Sequence, residues 1–314
     1  MTSGTKGEPQ SAAAVLMIRP ATFASNAQTV ASNAFQAFAA KSPEIQRRAQ
    51  LEFDGTVAAL EDNGVSVHAF AGLAGCEAPD EVFPNNWASF HADGTAVLYP
   101  LLAPNRRLER RADIVAALER DHGYSVARVV DLSEHEVEGR YLEGTGSLVL
   151  DRMNRVAYAC RSPRTDLDAL ADFAARLGYE PIVFDAVDAT GRPVYHTNVV
   201  MSVGTSFAIV CTEAIRDPAH RARVVEALEA SQRAVIEIEF VQMHDFAANI
   251  LELASRDGPV IALSAHAYEA LDDEQQRRLA RYGELAIAEI PTIEAYGGGS
   301  VRCMLAEVHL PRAV

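Results

Sequence analysis

The 314-residue sequence predicts an α/β fold in which several small sheets are grouped around a central site. Pairs of short apolar strands alternate with single helices at a recurrence of roughly 50 to 60 residues, with no residue-level repeat. No long Pro-, Gly- or Ser-rich tract separates the elements, so nothing marks an interdomain linker. The composition, 49% hydrophobic and 23% charged, supplies enough apolar material for one large domain or two small ones. A doubly wound sheet would also house this alternation. The recurrence of strand pairs favours small sheets arranged in a circle.

The elements read in order as follows. Residues 15–19 form a strand closed by Pro20, and a helical pattern runs over 25–62 with an interruption at Pro43. Gly64 ends it, and 65–70 returns as a strand. A turn-rich stretch, 76–86, precedes an apolar run at 96–99 and an amphipathic helix over 106–122, capped by Gly123. Strands follow at 126–132, 146–150 and 156–160, then a helix at 166–177 closed by Gly178 and a strand at 181–184. Residues 199–203 and 207–211 pair as a hairpin across Gly204 and Thr205. A helix at 217–231, a strand at 234–240, a short helix at 246–254, a strand at 260–264 and a helix at 268–282 lead to closing strands at 284–290 and 303–309.

The net charge of −15 argues against a nucleic acid or an anionic membrane as partner. No apolar run reaches the roughly 20 residues that span a bilayer. Residues 1–14 are expected to be a flexible N-terminal tail ahead of a single catalytic domain over 15–314, and they have no signal-peptide character. Cys76, Cys160, Cys211 and Cys303 are far apart and fit neither a disulfide framework nor a zinc site. A reducing, cytoplasmic setting suits free thiols.

The chemistry concentrates near the C-terminus. Gly297, Gly298 and Gly299 precede Cys303, and a thiol behind a glycine turn is placed to act as a nucleophile or to be a small buried hydrophobe. Such a nucleophile needs a base. His196, at the mouth of an apolar strand, has the most suggestive context, whereas His91, His122, His135 and His220 read as surface residues; His244 beside Asp245 is less easily set aside. Glu143, between an apolar pair and a Gly-x-Gly turn, reads as a catalytic acid or as a turn carboxylate. Asn85 and Asn86, beside Trp87, read as turn formers or as a donor and acceptor for a polar substrate group.

Four segments in order carry a resemblance: 79–87 (PDEVFPNNW), 142–146 (LEGTG), 196–198 (HTN) and 297–303 (GGGSVRC). Together they resemble the guanidino-group-modifying superfamily, the penteins, and within it the arginine-deiminase-related citrulline-utilisation hydrolases. Residues 17–21, 31–36 and 246–253 add to the likeness, which covers nearly the whole chain. The resemblance implies a five-bladed α/β propeller of ββαβ units around a pseudo-fivefold axis, with no metal and no organic cofactor. It implies that Cys303 is the nucleophile, His196 the general acid/base and Glu143 the partner carboxylate. Asn86, Asn198, Asn85, Gly298 and Gly299 would bind substrate.

This chain departs from the family pattern at Thr145, where a glycine is usual, and at Asn86 and Asn198, where guanidinium-binding members have aspartates. Carboxylates suit a buried cation, whereas amides suit a neutral ureido group. The expected function is therefore Cys303-dependent hydrolysis of a ureido or guanidino amino acid, foremost citrulline, to ornithine, ammonia and carbon dioxide. Glu143 would hold a substrate nitrogen and keep His196 positively polarised, so that the imidazolium stabilises the Cys303 thiolate. Arg19, Arg161 and Arg192 are weak candidates for the substrate carboxylate. An arginine deiminase, a dimethylarginine-type hydrolase, an amidinotransferase and a noncatalytic ligand-binding member are the alternatives. A homodimer is left open.

Overall fold

One supersecondary unit recurs five times. A computed structural model describes residues 8–313. The strands are β1 (Ala14–Arg19), β2 (Ser66–Ala71), β3 (Ala88–Phe90), β4 (Thr95–Leu98), β5 (Arg128–Asp131), β6 (Val149–Asp151), β7 (Val156–Cys160), β8 (Glu180–Phe184), β9 (Met201–Val203), β10 (Phe207–Val210), β11 (Ala234–Glu237), β12 (Leu251–Ser255), β13 (Gly258–Ser264), β14 (Glu284–Ala288) and β15 (Ala306–Glu307). They form five three-stranded sheets, ordered β15-β1-β2, β3-β4-β5, β6-β7-β8, β9-β10-β11 and β12-β13-β14. In each sheet the central strand pairs antiparallel with the first and parallel with the third. The parallel partner needs a crossover, and a helical segment supplies it each time. The sheet β15-β1-β2 joins the two ends of the chain, with Val15 opposite Glu307.

Local chemistry places the crossover helices. Ser42 caps Pro43–Asp62 through its side chain, with Pro43 in the first turn. Asp166 caps Leu167–Leu177, which ends at the left-handed Gly178. Asp217 caps Pro218–Ala230, again with proline in the first turn. The helix expected over 106–122 divides into a 3-10 turn, Pro104–Glu109, and an α-helix, Ala112–Arg120.

Several expected elements are different: the helix expected over 268–282 is two, Ala265–Ala270 and Asp273–Leu279, and the strands expected over 146–150 and 199–203 begin only at Val149 and Met201, after one helical turn each. Residues 25–42 are not helical apart from the turn Val30–Ser32, because their polar side chains bond to other parts of the molecule. Asn33 Nδ2 donates to Gly298 O at 3.0 Å and Gln36 Nε2 to Tyr296 O at 2.8 Å. Pro43 therefore starts a helix instead of interrupting one. The helix expected over 246–254 is a turn, with Phe246 at φ 62°, followed by β12. The strand expected from Cys303 begins only at Ala306, since Val301–Met304 forms one helical turn.

The flexible tail expected over 1–14 is also corrected from Glu8 onward; residues 1–7 lie outside the described residues. Glu8 accepts from Arg152 Nη1 at 3.0 Å, from Tyr179 Oη at 2.7 Å and from Ala92 N at 2.7 Å. Gln10 Nε2 donates to Leu150 O and Val203 O. Ser11 bonds Glu252, and Ala254 N donates to Ala12 O. Residues 8–12 thus touch four sheets before Ala14 enters the fifth. His91, read as a surface residue, is buried in this network 3.3 Å from Glu8.

Candidate active site

The polar groups of the site come from the same place in each repeat, the turn just before the first strand of a sheet. Asn85 and Asn86 lie in the 3-10 turn Pro84–Asn86 ahead of β3. Glu143 precedes the helical turn Gly144–Ser147 and β6. His196 and Asn198 flank the start of Thr197–Val200 ahead of β9. Asn249 precedes β12, and Cys303 sits in Val301–Met304 ahead of β15. All are buried, Cys303 with 3% of its surface exposed.

Cys303 Sγ is held by two carboxamides. Asn198 Nδ2 and Asn249 Nδ2 both donate to it, each at 3.4 Å. Asn249 Nδ2 also donates to the backbone oxygen of Asn198, which ties the two turns together. Glycine is required around this sulfur. Gly298 takes the left-handed φ of 67° and its carbonyl accepts from Asn33 and Tyr195. A Cβ on Gly299 would lie 3.3 Å from Cys303 Cβ.

His196 and Glu143 form the second half of the site. His196 Nε2 is 2.8 Å from Glu143 Oε2. Burial works to raise the Glu143 carboxyl, but the charge of Arg164, the bond from His196 and the charge of Arg106 hold it well below the usual carboxylate range. An ionised carboxylate only accepts, so His196 carries its proton on Nε2 and keeps Nδ1 free as a base. Burial pushes His196 down to about 4, against the opposing pull of Glu143. Burial thus works against the expected resting imidazolium, and among the described residues the hydrogen bonds to Sγ come from amides. A Cβ on Gly146 would fall 2.5 Å from Asn86 Nδ2 and 2.7 Å from the His196 ring, so the amide and the imidazole share one glycine-lined space.

Among the described residues Glu143 Oε1 accepts one bond and Oε2 two, so Oε1 keeps a lone pair of the kind the expected contact with a substrate nitrogen would use. Leu102 N donates to Oε1, while His196 and Arg164 donate to Oε2 at 2.8 and 3.2 Å. Arg106 Nη1 lies 3.6 Å from the same Oε2 and donates to Asn86 Oδ1 at 2.9 Å. Arg106 also pairs with Glu109 at 2.8 Å and with Asp80 at 3.5 Å. Since an arginine only donates, Asn86 must present Oδ1 to it, and Asn86 Nδ2 donates onward to Asn85 Oδ1. Among the described residues, Asn85 Nδ2, Asn198 Oδ1, Asp80 Oδ1 and Arg164 Nε are buried without a hydrogen-bond partner.

The structure therefore brings together Cys303, His196, Glu143, Asn86, Asn198, Asn85, Gly298 and Gly299. It does not bring in Arg19, Arg161 or Arg192: the first two pair with Asp54 and Asp185 at the surface, and Arg192 folds onto the exposed Thr190. His244 pairs with Asp245 and is exposed. Sequence reading missed Arg106, Arg164 and Asn249. Asn249 stands alone in an apolar run, a signal that was open to notice. The two arginines look like their many surface counterparts until the fold buries them.

Comparison with known proteins decides the family. The profile of the family described as eukaryotic N,N dimethylarginine dimethylhydrolase matches residues 19–310. The chain belongs to this family. It is thereby a member of the guanidino-modifying penteins, and a hydrolase acting on non-peptide C–N bonds. No curated protein matches it. Among solved structures of similar fold is the N-terminal domain of ArgZ, an arginine dihydrolase from the ornithine-ammonia cycle in cyanobacteria, as a mutant bound to substrate. It is 19% identical with a TM-score of 0.73, covering 96% of this chain and 99% of that one. Apo ArgZ is 17% identical with a TM-score of 0.72 over 93% of this chain, which spans only 40% of ArgZ. A dimethylarginine dimethylaminohydrolase, as an adduct with S-methyl-L-thiocitrulline, is 15% identical with a TM-score of 0.64, covering 93% of this chain and 98% of that one. The dimethylarginine dimethylhydrolase family and these neighbours share the mixed α/β fold of small sheets.

Proposed function

We propose that this protein hydrolyses a guanidino or ureido amino acid through a covalent bond to Cys303. The observation that carries the reading is a thiol clamped by two carboxamides in a buried site that also holds the Glu143–His196 pair. His196 Nδ1 takes the thiol proton as Sγ attacks the central carbon of the substrate head. The tetrahedral adduct collapses when that proton passes to the departing nitrogen. His196 then deprotonates water, which adds to the thiouronium or thiocarbamate carbon, and the C–S bond breaks to restore the thiol. Glu143 steers the ring by holding Nε2–H. Arg164, whose Nε has no hydrogen-bond partner among the described residues, replaces the surface arginines as the buried candidate for the substrate carboxylate, whereas Arg106 is taken up by Glu109, Asp80 and Asn86. The five like-connected sheets are read as five blades about a pseudo-fivefold axis, which explains why each supplies one turn to one site.

Two substrate classes compete. The family and the fold neighbours favour a guanidino head, as in arginine or dimethylarginine. The amides at positions 86 and 198 favour a ureido head such as citrulline, because they put N–H donors where guanidinium-binding members have carboxylates and add no negative charge. Purified protein is to be incubated separately with arginine, dimethylarginine and citrulline, with citrulline, ornithine and ammonia assayed. No turnover of any of them, with Cys303 unlabelled by a thiol-reactive amidine, would overturn the reading. A new guanidino product on adding a second amine would mark an amidinotransferase instead.

A further inference from the structure

A small cavity of about 20 Å³ lies behind the site, lined among others by Asn198, Ser202, Gln10, Arg302 and Glu307. That is about the space of one water molecule, which needs at least roughly 10–15 Å³ and two to four polar partners. Two polar atoms of its lining residues have no hydrogen-bond partner among the described residues: Asn198 Oδ1, on a residue 1% exposed, and Ser202 Oγ, on a residue 8% exposed. The other lining groups are already engaged. Gln10 bonds Leu150, Val203 and Arg152, and Arg302 bonds Leu305 O and Glu307. Leaving such atoms unsatisfied in the interior is costly, because each has given up its bonds to bulk water.

We infer that this cavity is a binding site for one structural water, which links Ser202 Oγ to Asn198 Oδ1, and that Ser202 is thereby a positioning residue for Cys303. The inference rests on the reading of Cys303 as nucleophile. An asparagine amide turns over easily unless its oxygen is fixed, and turned over it would aim a lone pair at the sulfur instead of an N–H. Water donating to Oδ1 keeps Nδ2 facing Sγ, where it stabilises the thiolate. Ser202 sits on β9 only four residues after Asn198, so the strand itself carries the anchor of the amide that precedes it.

The test compares the parent protein with Ser202→Ala and Ser202→Thr by two readouts: a high-resolution crystal structure, and the rate of Cys303 alkylation by iodoacetamide against pH. The expected result is one ordered water within hydrogen-bond distance of both atoms in the parent. In Ser202→Ala the pH midpoint of alkylation moves upward and the rate at pH 7 falls about fivefold to tenfold, roughly the effect of one lost hydrogen bond. Ser202→Thr restores both. A parent structure without that water, or an unchanged pH profile in Ser202→Ala, overturns the inference. If the parent itself is not alkylated at Cys303, the nucleophile reading fails instead, and the crystal readout still judges the water site.

Discussion

Cys303, His196 and Glu143 differ in what their surroundings let them do. Cys303→Ser should lower kcat by at least about a thousandfold without loss of fold, judged by turnover and circular dichroism, because the covalent step needs the thiolate. His196 makes a sharper prediction. Its folded pKa of about 4 lies below its ordinary value of 6.5, so the unfolded chain takes up the proton first as the pH falls. The associated stability is complete above about pH 6.5 and is lost progressively toward pH 4, a change on the order of 3 kcal/mol. Urea melts at pH 7, 5 and 4 should show it, and His196→Gln should flatten the profile. The acid limb of kcat/KM for the free enzyme should likewise lie near pH 4, not near 6.5. A histidine in its own sequence context does not disclose such a shift, since burial by distant segments causes it.

The functional elements are single turns, not helices or strands of ordinary length. Gly144–Ser147, Thr197–Val200 and Val301–Met304 have four residues each. They are too short to show a hydrophobic period, which is why sequence reading extended the neighbouring strands through them. Their chemistry was legible all the same, because glycine marks where backbones or rings come close. Gly146→Ala tests the point: its methyl group would collide with Asn86 and His196. Activity should drop by at least about a hundredfold while the melting temperature moves little, as expected when reacting groups are displaced by about an ångström. The segment 25–42 failed in the opposite direction. It has helical composition, but Asn33 and Gln36 satisfy the nucleophile loop instead of their own helix.

At the scale of the molecule, residues 8–12 act as a strap across the sheets. Glu8, Arg152, Glu307 and Arg302 form a chain of buried ion pairs that ends beside Cys303. Glu8→Ala leaves Arg152 with a lost partner in the interior. It should cost about 3–5 kcal/mol in denaturant unfolding, far more than a tail substitution. Nothing in the polar stretch at the N-terminus announces this, since a carboxylate is read as solvated until its partner is known. Among the described residues no helix is long and apolar enough to cross a membrane.

Much was written locally. Strand pairs separated by helices, the capping residues Ser42, Asp166 and Asp217, and the glycine turns before Glu143 and Cys303 follow from short-range sterics and hydrogen bonding. So the class of fold and the family were readable from the sequence alone, and the sequence also nominated Cys303, His196 and Glu143 for the proposed chemistry. Tertiary structure alone decided which arginines are buried, that Asn249 joins Asn198 on the sulfur, that burial works against protonation of His196 and that Glu8 is interior. Each of these depends on desolvation and on partners tens to hundreds of residues away. No local pattern encodes such pairings, because they arise only when the five sheets come together.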